Sequence, residues 1–274
     1  MGKKGKPPKE FHEYLTAPTK AHVGHKDYLI SPGSAFLKYT VETKSAIDLC
    51  VRKFPKNLDG TYSKNSLDSL QHLVVAVLPA IMGHFETYER YLFAGVFDLS
   101  VFLSGFKVES FFKKLNKESS ISIDLIRLSA HRGLGASSIG TLLADSLNGW
   151  HDADRVNTFF NAFNLDYRLY GNDDCARLAV LWQLRHSIVH TGGTLTLPDA
   201  QKVPELQNYG DNQLVFENNF IFEVSRKLHQ IVKTATEGIG NAFEAKMLQN
   251  LDQNELDKIN KFFEVKSSVP AWLR

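Results

Sequence analysis

The alternation of apolar and polar positions along this chain predicts an all-α protein. The cleanest stretch lies between about 66 and 100, where Leu67, Leu70, Val74, Val77, Ile81, Phe85, Tyr88 and Leu92 recur every three or four residues. That spacing is the apolar stripe of one long amphipathic helix. Ser66 and Asp68 are placed to cap it, and Pro79 is expected to kink or divide it. Upstream, Phe36, Leu37, Val41, Ala46, Ile47, Leu49, Cys50 and Phe54 predict a helix over 34–54, stopped by the turn residues NLDGTYSKNS. Downstream, FKVESFFKKLNK, ISIDLIRLSAH, ASSIGTLLADSL and DADRVNTFFNAFN read as four shorter helices separated by polar and glycine turns.

The next helix, Asn172 to Gly193, carries the most chemistry. Asn172, Asp173 and Asp174 supply a cap and negative charge at its start. Leu178, Leu181, Trp182, Ile188 and Val189 predict its buried stripe, and Gly192–Gly193 a left-handed stop. Thr194–Leu197 and Gln213–Phe216 then predict a short β-hairpin-like insert. Phe220, Val224, Leu228, Ile231, Ala235, Ile239 and Phe243 predict a long closing helix, and LDQNELDKINKFFEVK one more, with Trp272 in a tail that docks on a neighbour. The expected organisation is an N-terminal extension over 1–64 (a basic disordered tail plus one helix), a helical bundle over 65–248 with the insert after its key helix, and a C-terminal helix and tail over 249–274.

Composition adds boundaries. With 274 residues, 43% apolar positions, 19 Phe and 3 Trp, the chain can bury a sizeable core. The net charge of +2 argues neither for nor against a nucleic-acid partner, so any basic surface is local. The basic stretch MGKKGKPPKEF reads as a solubilising tail. Cys50 and Cys175 form no CxxC or Cys/His cluster, which fits a reducing compartment and excludes a disulfide framework or a structural zinc site by spacing. No run of about 18 apolar residues or secretory signal is legible, so a cytoplasmic protein without membrane attachment is expected. GLGASSIG lacks the preceding strand, the lysine and the glycine spacing of a phosphate loop and reads as a loop entering a helix. His12, His22 and His25 read as surface residues, and His131 and His151 as caps or surface residues at helix ends.

Arg185, His186 and His190 remain. At about 100° per residue, His186 and His190 lie about 40° apart on one helix face, while Arg185 is about 140° from His190. Arg185 meets His190 only through its long side chain or across a two-fold axis. An arginine clamps phosphate and keeps its charge. A histidine in the last turn, where the dipole favours positive charge, suits acid–base work. Such a trio fits cleavage of an RNA backbone with no metal. For an arbitrary helix the blander reading, a salt-bridged surface Arg and a capping His, is the commoner one. A metal hydrolase reading through His186 and His190 lacks a third ligand and a suitably spaced Glu. Glu86 and Glu89, three residues apart, read as a solvated face or as partners for a buried Arg.

The hexamer Arg185-His186-Ser187-Ile188-Val189-His190, followed by Thr191-Gly192-Gly193, resembles the Rx4–6H motif of the HEPN superfamily. The order of helices, with HFETYERYLF on the long one, looks most like the branch often labelled RiboL-PSP-HEPN. The resemblance covers about residues 65–248. It implies an all-α, dimeric, metal-independent endoribonuclease that needs no cofactor and leaves a 2′,3′-cyclic phosphate, of a kind common in toxin–antitoxin and phage-defence systems. It implies Arg185 and His190 as catalytic, His186 as the auxiliary polar residue, and Glu86 or Glu89 as an acidic support for the Arg. Expected partners are the RNA, a second copy sharing the active site, and an antitoxin or regulatory protein. Gly192 stands where one toxin branch carries a modifiable Tyr, so regulation by that route is not expected. Arg226, Lys227 and Lys233 on the outer surface of the closing helix read by default as a solvated face, or else as residues that hold RNA near the site. Some HEPN domains are non-catalytic interaction or nucleotide-binding modules, and this is the alternative.

Overall fold

A computed structural model describes residues 10–15, 22–118, 138–217 and 219–266. The basic tail over 1–9, the predicted helix ISIDLIRLSAH with His131, and Trp272 lie outside them. The described chain is a helical bundle: α1 (His25–Ile30), α2 (Pro32–Lys53), α3 (Lys64–Leu99), α4 (Val108–Glu118), α5 (Ile139–Ser146), α6 (Ala153–Asn161), α7 (Asn172–His190), α8 (Leu197–Ala200), α9 (Phe220–Glu244) and α10 (Gln253–Phe262). One two-stranded sheet, β1 (Thr194–Leu195) with β2 (Asn212–Gln213), interrupts it. The all-α class with a short β insert is the observed one.

α3 is the axis of the bundle. Leu70, Val74, Leu78, Ile81, Phe85, Tyr88 and Leu92 are buried along it, close to the predicted stripe. Burying a large apolar side chain is worth about 1.5–3 kcal/mol, so a stripe of this length organises everything around it. Two expectations change. The cap is Ser63, whose Oγ accepts from the Ser66 amide at 3.3 Å, while Ser66 is buried and donates its hydroxyl to the Pro55 carbonyl at 2.7 Å. The helix also runs unbroken through Pro79. The neighbouring Leu78 and Ile81 are fully buried, and their packing holds the helix across the missing backbone donor. By length and composition alone α3 is apolar enough to cross a membrane; its stripe faces the interior of the bundle.

Among the described residues before α3, the helix predicted over 34–54 is α2, and its buried face joins the bundle core. α2 packs on α3 and α9, with Phe36 edge-on to Phe85 at 5.6 Å between ring centroids. Gly33 brings the backbone against Thr236 of α9, where an added Cβ would lie 2.9 Å from the hydroxyl. The stripe on α3 is wide, and α2 covers the side that the later helices leave open. α10 also joins the same core, since Phe262 seats over Gly95 of α3.

α5 crosses α3 at even closer range. A Cβ on Gly140 would fall 2.1 Å from the Ala94 carbonyl oxygen, and Asp98 accepts from the Gly140 amide at 3.0 Å. Phe93 then gathers Phe111, Trp150, Phe159, Phe160 and Phe163 into an aromatic cluster that fixes α4 and α6. This cluster places the Trp150–Asp152 corner beside the middle of α7.

Candidate functional site

α7 starts with a backbone cap at Gly171. Asn172 does not cap; its side chain accepts from Arg168 at 2.7 Å. Leu178, Leu181, Trp182, Gln183, Leu184 and Ser187 are buried, whereas Ile188 is half-buried and Val189 is 47% exposed. The stripe therefore ends a turn earlier than predicted. Gly192 and Gly193 adopt the left-handed conformation, with φ of 64° and 83°. That turn lets the amides of Thr191 and Gly193 both donate to the Ser187 carbonyl, at 3.1 and 3.0 Å. The insert follows, with Thr194 opposite Gln213 and Leu195 opposite Asn212. Its strands are shorter than predicted because Thr196 caps α8 and Pro198 opens it.

A cleft of about 730 Å³ lies along α7, between α6 and the insert. Arg185, His186 and Trp182 of α7, Lys202 of the insert and His151 of the corner before α6 line it. Asp152, Asp154, Asn172 and Cys175 line it too. Here Asp154 pairs with Arg168 at 3.0 Å, and Asp152 caps α6. Burial and the nearby Asp154 carboxylate push the Cys175 thiol up.

Among the described residues, Arg185 has no carboxylate partner. Its Nε is buried without any hydrogen-bond partner, and the side chain reaches into the cleft. The cations around it are otherwise engaged: Lys202 pairs with Asp199 at 2.7 Å, and Arg90 with Glu86 at 2.7 Å. His190 is exposed and does not line the cleft, but its ring lies 4.7 Å from that of His186. Within one chain the cleft thus joins Arg185 to His186, and His190 stands beside His186 at the helix end. This follows from the 140° offset.

The acidic residues of α3 do not support Arg185 directly. Glu86 accepts from Arg90 Nε at 2.8 Å and binds His151 Nε2 at 2.8 Å. These partners, His151 first, hold the Glu86 carboxyl down at about 2. Glu89 is fully buried, accepts from the Tyr170 hydroxyl at 3.0 Å, and has its second oxygen unpartnered. Burial pushes its carboxyl well above the usual range, and the Tyr170 hydroxyl rises for the same reason.

The basic residues of α9 are also elsewhere. Arg226 pairs with Glu223 at 2.6 Å, and Lys233 lies 3.9 Å from Glu237. Arg226 and Lys227 line a separate hollow of about 260 Å³ with Asp174 and Arg177, at the start of α7. Asp174 is about 16 Å along the helix from Arg185, from the rise per residue. They lie far from Arg185 because the helical stripe of α9 directs them to the opposite end of α7.

Sequence reasoning missed His151, Lys202 and the role of Trp182 as a cleft wall. No spacing rule relates His151 to Arg185, since they are brought together only by packing of the Trp150 corner. Among the described residues, no group of three or more His, Cys, Asp and Glu side chains is arranged to hold a metal ion. In three comparisons with known proteins, no family model, no curated protein and no solved structure matched this chain.

Proposed function

We propose that this chain is a metal-independent endoribonuclease of HEPN type, with Arg185 as its phosphate clamp. The observation that carries this reading is the unpaired guanidinium of Arg185 in a cleft shared with His186. A half-buried arginine without a carboxylate is costly to keep, and a bound anion offsets that cost. The planar fork of the guanidinium matches two oxygens of a phosphodiester. His186 lies within the cleft and His190 beside it, so imidazoles for proton transfer stand next to the clamped phosphate. In the reaction the RNA 2′-oxygen attacks phosphorus, the bond to the 5′-oxygen breaks, and Arg185 stabilises the charge that builds on the phosphate oxygens. The products are a 2′,3′-cyclic phosphate and a 5′-hydroxyl.

A second copy of the chain fits the end of α7. Val189, Leu197, Tyr209 and Val215 are exposed apolar residues on or beside the Gly192–Gly193 turn and the insert it begins. A two-fold contact there would bring His190 of one protomer toward the cleft of the other.

The test is cleavage of RNA by purified protein in EDTA. Wild type is expected to cut, and Arg185→Ala to lose about 10³-fold or more in rate. Activity that disappears with chelator and returns with Mn²⁺ or Mg²⁺ would sink the proposal. No cleavage at any concentration, together with a stable protein or nucleotide complex that survives His190→Ala, would favour a non-catalytic module instead.

A further inference from the structure

The structure assigns His151, held by Glu86 and packed on Trp182 of α7, as a general base that faces the Arg185 cleft. The inference rests on the ribonuclease reading and deepens it. Three observations carry it. First, His151 Nε2 meets Glu86 Oε2 at 2.8 Å. A carboxylate only accepts, so Nε2 carries the hydrogen and Nδ1 is left as the basic atom. Second, the ring is held against Trp182, 4.3 Å between centroids and tilted by 32°, so its plane is fixed as well as its tautomer. Third, His151 lines the same cleft as Arg185 and His186, and its side chain keeps 49% of its surface open.

Glu86 is itself anchored. Its other oxygen pairs with Arg90 at 2.7 Å, and Arg90 also reaches Asp145 at 3.3 Å. The carboxylate therefore cannot swing away from the imidazole without breaking a second ion pair. This is the arrangement of a histidine oriented by a carboxylate, in which the acid selects the tautomer and the imidazole moves the proton. Glu86 is a positioning residue here.

With His151 and His186 both lining the cleft, one protomer holds two imidazoles beside the phosphate that Arg185 clamps. His151 Nδ1 takes the proton of the RNA 2′-hydroxyl while the 2′-oxygen bonds to phosphorus. The bond from phosphorus to the 5′-oxygen breaks, and that oxygen receives a proton from the imidazolium of His186. Return of the proton from His151 to His186 through water restores the enzyme.

The experiment is steady-state cleavage of a short RNA by the full chain carrying His151→Ala, His151→Gln, Glu86→Ala or Arg185→Ala, with circular dichroism on each. His151→Ala and His151→Gln are expected to lower kcat about 10²-fold with KM changed less than about three-fold. Added imidazole is expected to restore part of the His151→Ala rate. Glu86→Ala is expected to lower kcat about ten-fold and to mix the tautomers of His151 in its ring ¹⁵N spectrum. Cleavage by both His151 variants within about three-fold of wild type, with Arg185→Ala inactive, overturns the role of His151 and leaves the ribonuclease reading standing. A loss that falls on KM alone, without imidazole rescue, also overturns it, since His151 would then only help bind RNA. Wild-type protein that never cleaves removes both. His151 lies half-open in a turn, so two substitutions of different size separate chemistry from folding.

Discussion

Glu86 and Glu89 are the same residue type, one turn apart on the same helix, and they end in opposite chemical states. Glu86 is half-buried on α3 and bonded to the cleft residue His151. It holds two cationic or proton-donating partners, and its carboxyl is held down at about 2 by His151 and Arg90. Glu89 is turned by about 300° around the helix into the core. Among the described residues it meets the Tyr170 hydroxyl alone, and burial pushes its carboxyl up. The difference teaches that a carboxylate's role is set by what faces it across the packing interface. Position along the chain places two acids near each other; only the fold decides which is an ion that orients a histidine and which is a buried hydrogen-bond acceptor.

The most severe way to probe that contrast is charge reversal. Glu89→Lys puts an ammonium in the core without a partner and is expected to cost about 3–5 kcal/mol, enough to unfold a marginal domain. Glu86→Lys stands at a partly exposed position beside Arg90 and is expected to cost less, about 1 kcal/mol. Urea denaturation of the two variants checks this, and equal costs would break the comparison. Removing the partners is milder. Tyr170→Phe leaves the Glu89 carboxyl without its one hydrogen bond and is expected to cost about 1–3 kcal/mol. His151→Ala is expected to cost under about 1 kcal/mol, because Arg90 and water still serve Glu86.

Stability against pH separates the two by sign. The raised Glu89 carboxyl keeps its proton in the folded state after the unfolded chain has lost it. Stability from Glu89 is therefore complete below about 4.5 and falls as pH rises from there toward the folded value. The lowered Glu86 carboxyl does the reverse: its contribution is present above about 4.5 and is lost as pH falls through about 2. Glu89→Gln should flatten the decline above pH 4.5, and Glu86→Gln should cost about 1 kcal/mol at neutral pH and nothing near pH 2. Urea midpoints taken across the pH range test both signs. The smallest expected effect is on catalysis: Glu89→Gln should leave RNA cleavage within about three-fold of wild type, whereas Glu86→Gln should slow it more than that. A drop of equal size in both would mean that Glu89 also reaches the cleft.

Much of the framework was legible in the chain itself. The 3.6-residue period exposed α3, α7 and α9 and placed the buried faces nearly correctly, because a helix that must bury one side repeats its apolar residues at that interval. The double glycine marked the end of α7, since few other residues adopt its left-handed φ at low cost. Arg185 and His186 were legible as candidates because they share the last turns of one helix. The unbroken passage of α3 through Pro79 was not legible, since packing on both sides outweighs a local preference. Nor was the incorporation of α2, whose apolar positions show that it buries a face without showing which partner covers it.

What the sequence by itself determined is therefore local: helix phases, the left-handed stop after His190, and the fixed angle that keeps Arg185 away from His190 on a single helix. The tertiary structure alone decided the site. The aromatic cluster around Phe93 carries the Trp150 corner to the middle of α7. There it sets His151 against Trp182 and Glu86, with Arg185 unpaired in the same cleft. No local interval encodes that meeting, because contacts between residues far apart in sequence arise from how whole helices bury their faces against one another.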